Sequence, residues 1–375
     1  MLSPEIAYDA FSDAGVSFWT GVPDSLLKEL NSFVVDAAGK GSHVVAANEG
    51  GAIALAAGHY LASGQPAAVY LQNSGLGNTI NPLLSLADNA VYGIPMVLVI
   101  GWRGEPGAKD EPQHVKQGAV TLQVLEAAGV PFVVLDQDAA TAVSQITETV
   151  TSSLEAQQPR AIVVRSGTFA PHQSRGAESS SLPLSREEAV VTVAEAIAEE
   201  SVVVSTTGKT SRELYEYRVM SGSDGAQDFL TVGGMGHASQ IALGIDLASD
   251  RDVWVLDGDG AVLMHMGSLP VIGQYASARF KHVVFNNGVH DSVGGQPTPL
   301  ETASIPEIAK SSGYRSVQSV TTRDELTAAL ADLKTTTGPA LLEVMVRPGA
   351  RADLGRPATT PDENKRSLMT HLSDN

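Results

Sequence analysis

The chain of 375 residues contains no cysteine. Disulfides, thiolate nucleophiles and cysteine-ligated metal sites are therefore excluded. Aromatic residues make up only 5% of it, while glycine and alanine are abundant, a balance that suits helices lying close against parallel sheets. Long apolar runs are missing as well. The longest, such as residues 96–100, have strand length and fall far short of a bilayer span. The first residues carry no basic cluster followed by an apolar stretch, so no signal peptide is expected and a soluble cytoplasmic chain is the default. Positive charge is scarce too: 24 Lys and Arg face 42 Asp and Glu, a net charge of −18. That balance argues against nucleic acid, whose partners are usually basic, and no membrane association is expected. A small anionic substrate would need a local basic pocket to overcome the overall field.

The length suits two domains of ordinary size. Short β-branched runs alternate with helical periodicity throughout, which predicts an α/β protein with two doubly wound parallel-sheet domains. In residues 1–170 the pattern predicts helices over 4–15, from 26, 52–63, 121–129 and 139–155. Strands are expected at 17–20, 44–47, 67–71, 96–101, 132–135 and 161–165. Residues 171–184, rich in Ser, Gly, Pro and His, read as a linker. In residues 185–375 helices are predicted over 186–200, 238–248, 261–274, 305–312 and 323–333, with strands at 202–205, 229–232, 252–256, 282–285 and 341–346. The tail from Gly349 reads as polar. No clear internal repeat is visible.

One stretch concentrates the chemistry. A strand runs into Asp257-Gly258-Asp259-Gly260, a helix follows, and a second strand ends in Asn286-Asn287-Gly288-Val289. Parallel strands of one βαβ unit would bring Asp259 and Asn287 side by side at the carboxyl edge of the sheet, where open α/β folds bind ligands. A carboxylate, a side-chain amide oxygen and a nearby carbonyl make an all-oxygen set suited to Mg²⁺, which takes its remaining ligands from phosphate and water. The neighbouring glycines allow the backbone to approach phosphates closely. Taken alone, Gly-Asp-Gly is more often a surface turn, and the paired asparagines at strand-helix-strand distance reverse that reading.

Other residues carry two readings each. Glu49 ends a buried strand among Ala, Gly and Val. It is either a carboxyl with a raised pKa in search of a nitrogen partner or a first-turn glutamate favoured by a helix dipole. Gly233-Gly234-Met235-Gly236 after a strand imitates a dinucleotide fingerprint, weakened by Ser239 in place of the third glycine. Thr206-Thr207-Gly208-Lys209 offers hydroxyls, backbone N–H groups and an ammonium to a phosphate, or is only a turn. Asp24 is a plausible N-cap of the helix beginning at residue 26.

The Gly258-Asp259-Gly260 run, the gap of 25 residues and Asn286-Asn287 resemble the cofactor motif of the thiamine diphosphate-dependent 2-oxoacid decarboxylase superfamily. The resemblance implies Mg²⁺ held by Asp259, Asn287 and the Val289 carbonyl, with the diphosphate gripped through the ion. It adds Gly258, Gly260, Ala261 and the Thr206, Thr207 and Gly208 loop as cofactor contacts. It further implies a Gly233 carbonyl that accepts from the pyrimidine amino group and a Met235 that props the cofactor into its bent shape. Glu49 would face the aminopyrimidine ring and drive its imino tautomer. Residues 1–170 then form a pyrimidine-binding domain and residues 185–375 a diphosphate-binding domain, with no room for a central third domain.

Gly21-Val22-Pro23-Asp24-Ser25, the 72–78 and 101–107 segments, Asp110-Glu111-Pro112-Gln113-His114 and residues 286–298 together resemble the phosphonopyruvate decarboxylase family. That likeness implies decarboxylation of 3-phosphonopyruvate to phosphonoacetaldehyde and CO₂ in phosphonate biosynthesis, with the cofactor as electron sink. Asp24 and His114 would serve proton transfer, which a histidine near neutrality suits. Candidates for the substrate anion are Arg103, Lys109, Lys116, Lys209, His290, Arg351 and Arg356. The superfamily arrangement also implies at least a homodimer, with Glu49 of one subunit facing the Asp259 site of another. Three alternatives stand beside this reading: sulfopyruvate or another anionic 2-oxoacid as substrate, a dinucleotide-binding oxidoreductase built on the Gly234 segment, and a cofactor-binding regulator without turnover.

Overall fold

The computed structural model describes residues 1–173, 180–300 and 302–373. The chain divides into two compact units, one of Met1–Ala177 with His290–Pro297, the other of Glu178–Val289 with Thr298–Asn375. The middle of the expected linker, residues 174–179, lies outside the described residues.

The first unit holds six strands: β1 (Phe18–Gly21), β2 (His43–Val45), β3 (Ala67–Gln72), β4 (Met96–Gly101), β5 (Phe132–Val134) and β6 (Arg160–Val164). They pair in the order β2-β1-β3-β4-β6-β5, every pair parallel. Helices cover both faces, which is why the central strands read as unbroken apolar runs. On one face Val69, Leu98 and Val163 pack against Ala52, Ile53 and Ala56 of helix Glu49–Ser63. On the other, Trp19, Tyr70 and Val99 meet Leu30 and Val34 of helix Lys28–Ala37 and Ile146 and Val150 of helix Ala139–Ala156.

The second unit repeats the plan with β7 (Val202–Ser205), β8 (Asp228–Leu230), β9 (Val253–Gly258), β10 (Phe280–Asn286), β11 (Ser316–Val320) and β12 (Ala340–Met345). Its order is β11-β12-β10-β9-β7-β8, again all parallel. Alternate residues of each strand serve opposite layers. Val203, Leu256 and Phe285 pack with Val190 of helix Arg186–Ala196 and Leu330 of helix Arg323–Thr335. Val204, Val255 and Val284 pack with Ala242 of helix Ala238–Ala248 and Ile272 of helix Ser268–Tyr275. Reciprocal capping boxes open two of these helices, Ser185 with Glu188 and Thr322 with Glu325.

Several expectations need correction. The helix placed at 121–129 runs over Pro112–Ala127, with Pro112 in its first turn. The single helix expected at 261–274 is two, Asp259–Met264 and Ser268–Tyr275, broken at His265. Asp24 caps no helix; the following helix starts at Lys28 with Leu27 as its N-cap. Helix Lys209–Ser221, helix Leu76–Pro82 and edge strand β11 were not expected. Nor is the tail merely polar: Pro361–Ser373 is a helix whose Leu368 enters the core. Its Asn364 accepts from the Leu230 N–H at 3.0 Å and donates to the Asp228 carbonyl at 2.8 Å, so one amide pairs with edge strand β8. Among the described residues no helix is long and apolar enough to cross a membrane.

Candidate active site

At the carboxyl edge of the second sheet four adjacent strands each deliver one expected segment. Gly233–Gly236 follows β8, Thr206–Gly208 follows β7, Asp259 follows β9, and Asn286 ends β10 with Asn287 directly after it. Gly258 sits opposite Phe285 in the β9–β10 register, which draws the Asp259 and Asn287 turns together. The Asp259 Oδ2 accepts from Thr298 Oγ1 at 2.8 Å. Asn287 Oδ1 accepts from the Val289 N–H at 3.1 Å. Gly288 turns through a positive φ of 70°, a conformation that favours glycine.

Asp259 is only 4% exposed, and burial pushes its pKa up to about 6 against the hydrogen bonds that oppose it. Nothing cationic is among the interactions that hold it down. A divalent ion at this carboxylate would restore its charged form, so the residues fit the Mg²⁺ that the motif implies. Among the described residues no three His, Asp or Glu side chains converge as a metal cluster. Any ion here would therefore lean on the Asn287 amide, the Val289 carbonyl and non-protein oxygens, as Mg²⁺ commonly does.

The neighbouring loops are held by their own hydroxyls. Gly208, at φ 98°, is the N-cap of helix Lys209–Ser221, a conformation that favours glycine. Ser211 Oγ donates to the Thr206 carbonyl at 2.6 Å, and Thr207 Oγ1 donates to the Val232 carbonyl at 2.9 Å. Gly233 is exposed and Met235 half-buried. A Cβ on Gly236 would come within 2.6 Å of the His265 ring, which stacks on His237 with centroids 4.3 Å apart.

In the first unit Glu49 begins helix Glu49–Ser63, whose N-cap Asn48 accepts from the Gly51 N–H at 2.8 Å. Glu49 is 6% exposed, and Asn78 Nδ2 donates to its Oε2 at 2.7 Å. Burial raises its pKa despite that bond. A glutamate merely stabilised by the helix dipole would show the opposite shift.

Asp24 is wholly buried, with one oxygen accepting from the Leu26 N–H at 3.1 Å and the other without a partner. Its pKa rises to about 6, chiefly through burial. It lies so close to Gly101 that a Cβ there would fall 1.9 Å from its Oδ2. His114 is also buried, its Nδ1 unpartnered, and burial and then the charge of Arg103 lower its pKa.

The basic candidates differ sharply. Arg103 grips Asp110 through two bonds, Nε to Oδ2 at 2.8 Å and Nη2 to Oδ1 at 2.5 Å, while Nη1 donates to Ser25 Oγ at 2.9 Å. Its hydrogen bonds hold the Asp110 carboxyl far below the usual range. Asn73 anchors the same loop, donating to the Arg103 carbonyl at 2.8 Å and accepting from its N–H at 3.1 Å. Arg351 pairs with Glu187 at 2.8 Å, Glu216 and Asp353 at 3.2 Å. Lys109, Lys116 and Arg356 are exposed, and Lys209 is half-buried at the start of its helix. His290 belongs to the first unit, where burial lowers its pKa to about 4. Asn78, Thr298, Ser25 and Glu343 escaped the sequence reading, although the first three lie inside the motif segments quoted for the family.

Residues 206–344 match the C-terminal TPP binding domain of thiamine pyrophosphate enzymes, and residues 4–127 match the N-terminal TPP binding domain. The chain is 37% identical to a phosphonopyruvate decarboxylase of Streptomyces viridochromogenes, over 96% of this chain and 92% of that one. It belongs to the phosphonopyruvate decarboxylase family. A second member, from Streptomyces hygroscopicus, is 37% identical over 100% of this chain and 95% of its own. A sulfopyruvate decarboxylase of Methanosarcina acetivorans is 26% identical over 85% of each chain. Family membership makes the chain a carboxy-lyase that depends on thiamine diphosphate (thiamine pyrophosphate), with the fold expected from its sequence. The Gly234 segment lies inside a thiamine pyrophosphate-binding domain, and the dinucleotide reading is dropped.

Proposed function

We propose that the chain converts 3-phosphonopyruvate to phosphonoacetaldehyde and CO₂ in cytoplasmic phosphonate biosynthesis, with thiamine diphosphate anchored through Mg²⁺. The observation that carries this reading is the 37% identity to phosphonopyruvate decarboxylases across nearly the full length of both chains. Sulfopyruvate is the second reading, favoured by the 26% relative over most of its length.

Residues 1–170 serve as the pyrimidine-binding domain and residues 185–375 as the diphosphate-binding domain. Asp259, Asn287 and the Val289 carbonyl hold the metal, and Gly258, Gly260, Ala261, Thr206, Thr207 and Gly208 line the diphosphate. Gly233 and Met235 support the pyrimidine end. Bound thiamine diphosphate supplies the electron sink for carbon–carbon cleavage. Glu49, already pushed toward its protonated form by burial, holds a proton on a ring nitrogen of the aminopyrimidine. Asp24 and His114 handle the proton that replaces CO₂. Both have pKa values moved by burial in the direction that favours the neutral form.

For the substrate dianion the candidates are Arg103, Lys109, Lys209, His290, Arg351 and Arg356. Arg103 is the strongest of these, since its loop is fixed by Asn73 and it shares Ser25 with the Asp24 segment. Arg351 is the weakest, because three carboxylates already engage it. The chain works as at least a homodimer, Glu49 of one subunit serving the Asp259 site of another.

The test is CO₂ release from phosphonopyruvate, sulfopyruvate and pyruvate in parallel, with and without thiamine diphosphate and Mg²⁺. Turnover of phosphonopyruvate alone, lost without cofactor, is expected. Turnover of sulfopyruvate instead would overturn the substrate assignment.

A further inference from the structure

The Asn286–Val289 turn rests on a carboxylate from a neighbouring strand. Glu343 lies on β12, opposite Val284 of β10 and Ser319 of β11. It is 7% exposed, and no cationic side chain pairs with it among the described residues. One of its oxygens accepts from Asn286 Nδ2 at 2.9 Å, the other from Ser319 Oγ at 2.7 Å. A buried carboxylate is costly unless hydrogen-bonded, and an apolar residue would fill the same strand position without that cost. Its presence calls for a reason beyond packing.

The reason lies in what it does to Asn286. A carboxylate accepts hydrogen bonds and offers none, so the amide of Asn286 can present only its nitrogen to Glu343. The Asn286 oxygen is thereby turned the other way, where it accepts from the Gly288 N–H at 3.0 Å. Asn287 then closes the next step of the turn on the Val289 N–H. A single acceptor on β12 therefore sets the orientation of the whole turn.

We propose that Glu343 is a positioning residue for the divalent cation. Through Asn286 it fixes the turn that presents the Asn287 oxygen and the Val289 carbonyl to the metal. This inference rests on the Mg²⁺ reading given above.

The test measures metal affinity rather than turnover. Thiamine diphosphate binding to the full chain is followed by tryptophan fluorescence, and the Mg²⁺ concentration giving half-saturation is determined. Removing a partner bonded directly to a metal ligand commonly weakens metal affinity about 10–100-fold; Glu343 acts one bond further out, and Glu343→Ala is expected to raise the half-saturating Mg²⁺ by about 10-fold, the low end of that range. Glu343→Gln keeps an acceptor for Asn286 and a donor for Ser319, and should stay close to wild type. Val320→Ala trims the core at the end of β11 and serves as the stability control. It should lower Tm without moving the Mg²⁺ requirement. An unchanged requirement in Glu343→Ala, or an equal rise in Val320→Ala, overturns the proposal. Should Glu343→Ala not fold, Ser319→Ala takes its place: a smaller rise supports the proposal and none overturns it. Wild-type binding with no divalent-ion dependence would sink the metal reading as well, whereas a dependence that Glu343→Ala leaves untouched sinks this inference alone.

Discussion

Asn78 donates a 2.7 Å hydrogen bond to one carboxylate oxygen of Glu49, and the other oxygen lies where a Cβ on Gly75 would come within 2.3 Å. One oxygen is thus anchored and the other has its space guaranteed by a glycine. Replacement by Gln keeps the shape and an acceptor for Asn78 but removes the exchangeable proton. Glu49→Gln is expected to lower kcat by about 10²–10⁴-fold, the usual scale for acid–base groups. Cofactor affinity measured by calorimetry should fall far less. Parallel loss of both would reduce Glu49 to a binding residue.

Gly75→Ala tests the same arrangement from the other side. The added methyl cannot coexist with Glu49 in its present rotamer, so the carboxylate must move. Crowding of this kind typically costs about 1–3 kcal/mol, readable by denaturant titration, and kcat should drop along with it. Full activity in Gly75→Ala would mean that the position of Glu49 Oε1 does not matter.

Asp24 gives a pH dependence with a definite sign. Its folded pKa of about 6 lies above its ordinary 3.8. Between those values the native chain retains a proton that the unfolded chain has released. Stability from this group is therefore complete below pH 3.8 and lost as the pH rises through 6. Two pKa units correspond to roughly 3 kcal/mol. Asp24→Asn should thus stabilise the cofactor-free chain by up to that order at pH 7.5 and hardly at all at pH 4, while activity falls. A gain in Tm that is equal at both pH values would contradict the assignment.

Metal removal separates the Asp259 cluster from the rest. Dialysis against a chelator should abolish decarboxylation, and Mg²⁺ should restore it. Asp259→Ala should not recover at any Mg²⁺ concentration, with circular dichroism confirming that it remains folded. Recovery of Asp259→Ala would move the metal elsewhere.

What was legible in the sequence follows burial. Strands β3, β4, β9 and β12 are covered on both faces, and their apolar runs announced them. Asp259 and Asn287 were legible because backbone spacing alone brings them to neighbouring strand ends. Helix Lys209–Ser221 was not, because its buried side includes Thr210, Ser211, Glu213 and Arg218. Ion pairs Arg186–Glu213 and Arg218–Asp228, each near 2.9 Å, replace the apolar stripe that periodicity detects. Strand β11 lies at a sheet edge with four of its five side chains partly covered or open, so alternation is blurred. Glu343 was invisible for another reason: its meaning depends on Asn286, 57 residues away.

The Asn364 amide that meets both Asp228 and Leu230 has a consequence for solubility. Strand β8 ends its sheet, and its free backbone groups are a template on which another chain can add a strand. Asn364 occupies that template with a single side chain, answering one donor and one acceptor of the strand. Truncation before helix Pro361–Ser373 would leave the catalytic groups untouched and still expose an adhesive edge. Such a shortened chain would fail by clumping with its own copies rather than by losing its chemistry.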